Sequence, residues 1–229
     1  FTLERGLGTV PGEADGSAKF EVPACRPLFF VALDDKDLSV KRMQSFLTVQ
    51  PGESMSCVGC HEDRYQTPRS ATQPMALLRP PSRIEPIEGV PDVIDFPRDV
   101  QPILDRHCLA CHDYDKTATG GPRAGGVILS GDRGPWYSHS YVELTERRQF
   151  SDGRNGGGNR PPRSIGSSAS PLMQKLDGQH YDAKLSPREK TLVRLWIDSA
   201  AAYPGTYAAL GSGMAGERLS VVMATGRIL

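Results

Sequence analysis

Two runs constrain this chain more than any other feature: Cys57-Val58-Gly59-Cys60-His61 and Cys108-Leu109-Ala110-Cys111-His112. With five Cys and five His among 229 residues, chance would supply one Cys-x-x-Cys-His with an expectation of about 0.002. The spacing has a chemical reason. Two sulfurs separated by two residues can each add across one vinyl group of the same porphyrin, and the next residue turns its imidazole to the iron from the proximal side. A four-cysteine zinc site would use the thiolates and leave both adjacent histidines unexplained. A thioredoxin-like pair occurs once, at a helix start in a βαβ setting that this chain lacks. The sequence therefore predicts two covalently bound haems c. Cys57, Cys60 and His61 would hold the first, and Cys108, Cys111 and His112 the second.

The composition agrees with such a cofactor load. Hydrophobic residues make up 38% of the chain and aromatics only 7%, with 24 Gly and 19 Pro. A chain this rich in turn formers has little apolar material of its own, and a porphyrin plate can serve as core. The 27 basic and 27 acidic residues cancel, which gives no reason to expect a nucleic-acid partner or an anionic membrane surface. No apolar run approaches the roughly 18 to 20 residues of a membrane-spanning helix; the longest, Pro27 to Leu33, is strand-sized. The chain begins at Phe1, as expected either of a mature protein whose export signal is gone or of a piece of a longer polypeptide. Covalent haem attachment takes place outside the cytoplasm, so a periplasmic or extracellular location is expected.

The pattern predicts a mixed, loop-rich fold. Residues 1–66 read as a small β-sandwich-like module ending in the first motif. Its strand candidates are the alternating Ala18–Val22, the apolar Leu28–Leu33, and Met43–Val49. Residues 67–94 are a Pro-rich connector, since proline cannot serve ladders or helix interiors. Residues 95–210 read as a mainly α, cytochrome c-like domain, and 211–229 as a tail. Within that domain a short helix over Asp99–Arg106 leads into Cys108. Ser170–Leu176 forms another, and Ser186-Pro187-Arg188-Glu189 is a capping box opening a terminal helix. Leu192, Leu195, Trp196 and Ser199 give that helix one face. The Gly-rich stretch between His112 and Ser170 reads as a flap over the haem.

His112 is the proximal ligand of the second iron, and the distal ligand is expected just upstream of the terminal helix. His180 is favoured there, with Met173 or an open position as alternatives. His107 abuts Cys108 and is expected to face solvent. His139 lies in the flap, where a hydrogen-bonded surface histidine competes with a ligand role. At the first haem the ligand is His61 or, given that tyrosinate binds ferric haem in some proteins, Tyr65. Spacing alone would leave Tyr65 as packing. Cys25, the odd cysteine, is expected to be a buried, inert thiol.

A resemblance bears on these choices. The run Asp15–Ala24, then Pro27–Phe30, then Gln50–Glu53 through Cys57-Val58-Gly59-Cys60-His61-Glu62 resembles the hydrazine synthase alpha subunit family. So do Phe96–Leu104, Lys184–Ser186, Trp196–Asp198 and Tyr203–Tyr207. The resemblance covers the haem-bearing middle and C-terminal parts of that subunit. It implies that Tyr65, four residues after His61, is the axial ligand of the first iron, with His61 turned away toward a zinc ion. It also implies two histidines at the second iron, His112 with His180.

Three functions are compatible with these residues. The favoured one is electron transfer by a di-haem cytochrome, to a redox protein partner or to further copies of the same chain. Another is the haem-bearing part of a nitrogen-redox enzyme acting on small nitrogen compounds, with Tyr65 as candidate catalytic residue. The third is a structural subunit of a cytochrome filament, with Cys25 and His107 as candidate inter-chain groups.

Overall fold

The computed structural model describes residues 4–43, 45–59, 73–116, 118, 121–150, 160–178, 180–181 and 183–205. Strand β1 (Val31–Leu33) pairs antiparallel with β2 (Ser39–Arg42), with an irregularity after Ala32. The turn between them forms because the Asp34 carboxylate accepts from the N–H groups of Lys36 and Leu38. Of the other expected strands, Phe20 makes one bridge to Ser82, and Leu28 pairs once with Leu47. Ala18–Val22 and 46–49 therefore carry single bridges rather than a ladder, and the described residues form a two-stranded sheet with isolated bridges. Val22-Pro23 and Gln50-Pro51 explain part of this, since each places a residue without a donor beside the expected strand.

The described part of the Pro-rich connector holds a 3-10 turn at Met75–Leu78 and packs back on the N-terminal segment. Thr9 and Glu85 exchange both backbone hydrogen bonds, and Gly6 donates to Asp92. Lys19 and Glu21 pair likewise with Ser82.

The helical part begins with a wide turn at Phe96–Val100, which runs directly into α1 (Gln101–His107). Asp95 caps the turn by accepting from Arg98 N at 2.9 Å. Pro102 occupies the first turn of α1, where its missing N–H has no partner to lose. Helix α2 (His139–Glu146) lies inside the stretch expected to be a flap. Ile128, Leu129 and Leu144 from that stretch are buried, so its described part contributes to the core. Helix α3 (Pro171–Leu176) is capped by Ser170, whose hydroxyl accepts from Met173 N. Helix α4 (Pro187–Asp198) carries the reciprocal Ser186/Glu189 capping box.

The core is built on α1, α3 and α4. Phe96 and Val100 are completely buried, joined by Ile103, Leu104, Leu172, Leu176, Val193, Trp196 and Ile197. Phe96 contacts Tyr141, Trp196 and Tyr203 with ring centres 5.1, 5.2 and 5.8 Å away. The polar tips find backbone partners: Tyr141 donates to Ala201 O and Trp196 to Ala202 O, as buried aromatic polar groups require. Burial also drives the Tyr141 hydroxyl pKa well above its ordinary value. The buried face of α4 is broader than the expected stripe, for it includes Arg194 and Asp198. These two reach the β1–β2 hairpin region. Arg194 donates to Asp37 O at 2.6 Å, and Asp198 accepts from Ser167, whose hydroxyl in turn accepts from Ser39 N at 2.9 Å. The hairpin is thus joined to the helical part by buried polar contacts. No helix among the described residues is long and apolar enough to cross a membrane.

Candidate functional site

Helix α1 delivers the second motif. Its last turn continues through Cys108, whose N–H still donates to Leu104 O, and the chain then folds so that His112 N donates to Cys108 O at 2.9 Å. The segment 121–129 wraps this turn. Gly121 N donates to Leu109 O, Ala124 N to Cys111 O, and Leu129 N to His112 O. Gly121 must be glycine: its φ is +83° and a Cβ would collide with the carbonyl of Asp115.

His112 is oriented by one contact. Its Nδ1 lies 3.1 Å from the carbonyl oxygen of Ala124. A carbonyl only accepts, so Nδ1 carries the proton and Nε2 is left with a free lone pair. Across from it stands His180, in the loop that leaves α3 through Gly178 (φ +81°) and is closed by pairing of Asp177 with Lys184. The two imidazole rings are 5.9 Å apart, centre to centre, with planes inclined by 13°. Burial, then the facing His112, then Lys175 push the His180 pKa below its ordinary value, which favours the neutral base.

The ring-centre distance is compatible with two imidazoles sharing one metal. Two imidazoles bound end-on to one metal, with metal–nitrogen bonds of about 2 Å and each nitrogen about 1 Å from its ring centre, place the centres roughly 6 Å apart. The protein offers two donors here, and no cluster of three or more His, Cys, Asp or Glu among the described residues could hold a metal ion. Cys108 is half-buried and Cys111 exposed, and no disulfide joins them. Burial, then Asp105 and Cys111, push the Cys108 thiol up to about 11. Met173, the alternative distal ligand, is packed in the core.

The other singled-out residues fall elsewhere. His107 is not turned to solvent but half-buried, with Nε2 3.2 Å from Glu189 Oε1, so it ties α1 to α4. His139 opens α2, its ring 5.9 Å from that of Tyr114 and its Nε2 3.5 Å from Glu143 Oε1. Cys25 is exposed rather than buried, with φ +58° and Sγ 3.7 Å from Gln50 Oε1. It sits in a turn closed by its own N–H on Val49 O, which points the short side chain outward. At the first motif, Cys57 is exposed; Cys60, His61 and Tyr65, and with them the expected zinc ligand, lie outside the described residues.

Ala124 was not legible as a site residue, because it acts through its backbone carbonyl and no side-chain pattern marks it. The i,i+4 pair Glu143 and Arg147 reaches the same loop, and nothing in the sequence marks what it touches.

Two comparisons bear on relationship. A family model for the middle domain of the hydrazine synthase alpha subunit matches residues 1–62. Hydrazine synthase subunit alpha of Kuenenia stuttgartiensis is 27% identical over 234 aligned residues, covering 78% of this chain and 28% of that protein. The chain therefore spans under a third of that relative's length. No solved structure matches it. The first match includes the Cys57–His61 motif, and both matches are to the hydrazine synthase alpha subunit.

Proposed function

We propose that this chain is a haem-bearing, electron-transferring part of a hydrazine synthase alpha-like protein, working outside the cytoplasm with two haems c attached at its two motifs. The observation that carries the reading is the pair of near-parallel imidazoles, His112 and His180, 5.9 Å apart. In this reading Cys108 and Cys111 would supply thioethers, and His112 and His180 would hold the iron. A bis-histidine haem supplies one-electron chemistry at low potential and leaves no position open for substrate. The protein's part is to hold both rings. The Ala124 carbonyl fixes His112 in its Nε2-ligating tautomer, and the α3–α4 loop holds His180 opposite.

A second reading concerns the first motif, and the match of residues 1–62 to the alpha subunit middle domain favours it. In that reading Tyr65 replaces His61 at the first iron, with zinc near His61, and the centre acts on small nitrogen compounds. Partner subunits or a redox protein would then complete the site.

The test is to produce the chain in a host competent for cytochrome c maturation. Mass spectrometry of the denatured polypeptide should show two added tetrapyrroles, and ferric spectra should contain one low-spin bis-imidazole component. A polypeptide of bare mass would overturn the proposal. Tyr65→Phe should alter the other spectral component if the second reading holds; an unchanged spectrum returns the ligand role to His61.

A further inference from the structure

The loop that presents the Ala124 carbonyl to His112 has little packing of its own. Gly125 and Gly126 both adopt left-handed backbone, with φ +63° and +68°, and a Cβ on either would meet nothing within 4 Å. Its shape is therefore set by hydrogen bonds. One anchor lies on the motif itself, where Ala124 N donates to Cys111 O at 2.8 Å. The other comes from α2: Arg147 Nη2 donates to Gly126 O at 3.1 Å, while its Nε donates to Glu143 Oε2 at 2.6 Å. The guanidinium is thus held by one carboxylate and holds one carbonyl, a use of its fixed fork that a point charge could not copy. The other oxygen of Glu143 faces His139 Nε2 at 3.5 Å, and the His139 ring packs against Tyr114, two residues after His112. One face of α2 therefore reaches the surroundings of His112 from both sides.

We propose that Arg147 and Glu143 are positioning residues for His112. Through Gly126 they hold the Ala124 carbonyl in place, and that carbonyl sets the rotation of the His112 ring about its bond to the metal. The inference rests on the haem reading given above. The rotation decides how nearly parallel the two axial imidazoles lie, which is 13° here. It is readable because the g-anisotropy of a low-spin ferric haem depends on that angle: parallel rings give a rhombic signal, and crossed rings give a single feature at large g.

The experiment is low-temperature EPR of the haem-loaded full chain and four variants: Arg147→Ala, Glu143→Ala, the Arg147→Ala/Glu143→Ala double variant and Glu146→Ala. The wild-type chain should show a rhombic low-spin signal from the second haem; its absence would instead sink the haem reading. In R147A and in E143A the largest g value should rise and its line broaden. The double variant should move no further than either single one, because both residues act on one carbonyl. E146A, an exposed neighbour on the same helix, should match wild type. Urea titration accompanies the spectra, since a merely structural role would lower stability and leave the g values in place. Superimposable spectra for R147A, E143A and wild type would overturn the proposal, as would an equal shift in E146A.

Discussion

Ser167 meets Asp198 twice: its backbone N–H donates to Oδ1 at 2.8 Å and its hydroxyl to Oδ2 at 2.7 Å. Both residues are buried, and Ser39 N donates to the same hydroxyl from the hairpin. Gly166 is the only kind of residue that fits beside them, for a Cβ there would crowd Asp198 Oδ1 and collide with the Ser39 hydroxyl. The pair fastens the hairpin region to the end of α4.

Removing Asp198 should therefore cost more than one ordinary hydrogen bond. Asp198→Ala leaves two buried donors of Ser167 without an acceptor, a loss of about 3 kcal/mol. Asp198→Asn keeps one acceptor and should cost less. Urea unfolding of the haem-loaded protein measures both, and hydrogen exchange at Ser39–Lys41 should accelerate in the alanine variant. Equal midpoints for all three proteins would contradict this account of the joint.

Glu189 gives the fold an acid dependence. Burial opposes its ionisation, but hydrogen bonds from Arg106, from the N–H and hydroxyl of Ser186, and from His107 outweigh it and bring its pKa from an ordinary 4.5 to about 2. The folded value lies below the unfolded one. Its contribution is therefore complete above the unfolded value and is lost as pH falls through the folded one. Wild type should melt above Glu189→Gln at pH 6, and the gap should close between roughly pH 4.5 and 2. A gap that stays constant over that interval would refute the assignment.

His180 and Met173 should separate cleanly. On the proposed haem reading, His180→Ala removes a ring facing His112 and should leave a haem at the second motif high-spin and open to added imidazole or carbon monoxide. Met173→Ala removes a core side chain and should lower stability by roughly 2–4 kcal/mol with the optical spectrum retained. Spectra reversed between the two variants would make the methionine the ligand.

Two glycines of the segment wrapping the second motif test backbone geometry. Gly125→Ala meets open space and pays only for a left-handed residue, about 1 kcal/mol. Gly121→Ala adds a collision with the Asp115 carbonyl, so it should destabilise by clearly more and loosen the segment on Leu109. Thermal melts of the two variants compare them directly, and a Gly121→Ala protein as stable as Gly125→Ala would count against the packing described.

Much of the helical part could be read in advance because its signals are local. Ser186 and Glu189 cap α4 through bonds spanning three residues, and Ser170 starts α3 in the same way; such contacts need only neighbours in the chain. The sheet was less legible. Alternation over Ala18–Val22 marks an extended segment, but whether it enters a ladder depends on a partner sixty residues away. That partner, the connector around Ser82, offers only isolated bridges. His107 was misjudged for a similar reason: its neighbour Glu189 lies on another helix.

By itself, then, the sequence determined the chemistry-bearing groups, because the spacing of two cysteines and a histidine is a property of a few consecutive bonds. It also determined where the helices begin. Tertiary structure alone decided that the Ala124 carbonyl lies against the His112 ring, that His107 meets Glu189, and that Asp198 joins the hairpin region to α4. Those relationships arise only when segments distant in the chain are packed together, and no local pattern of residue types encodes the distance between them.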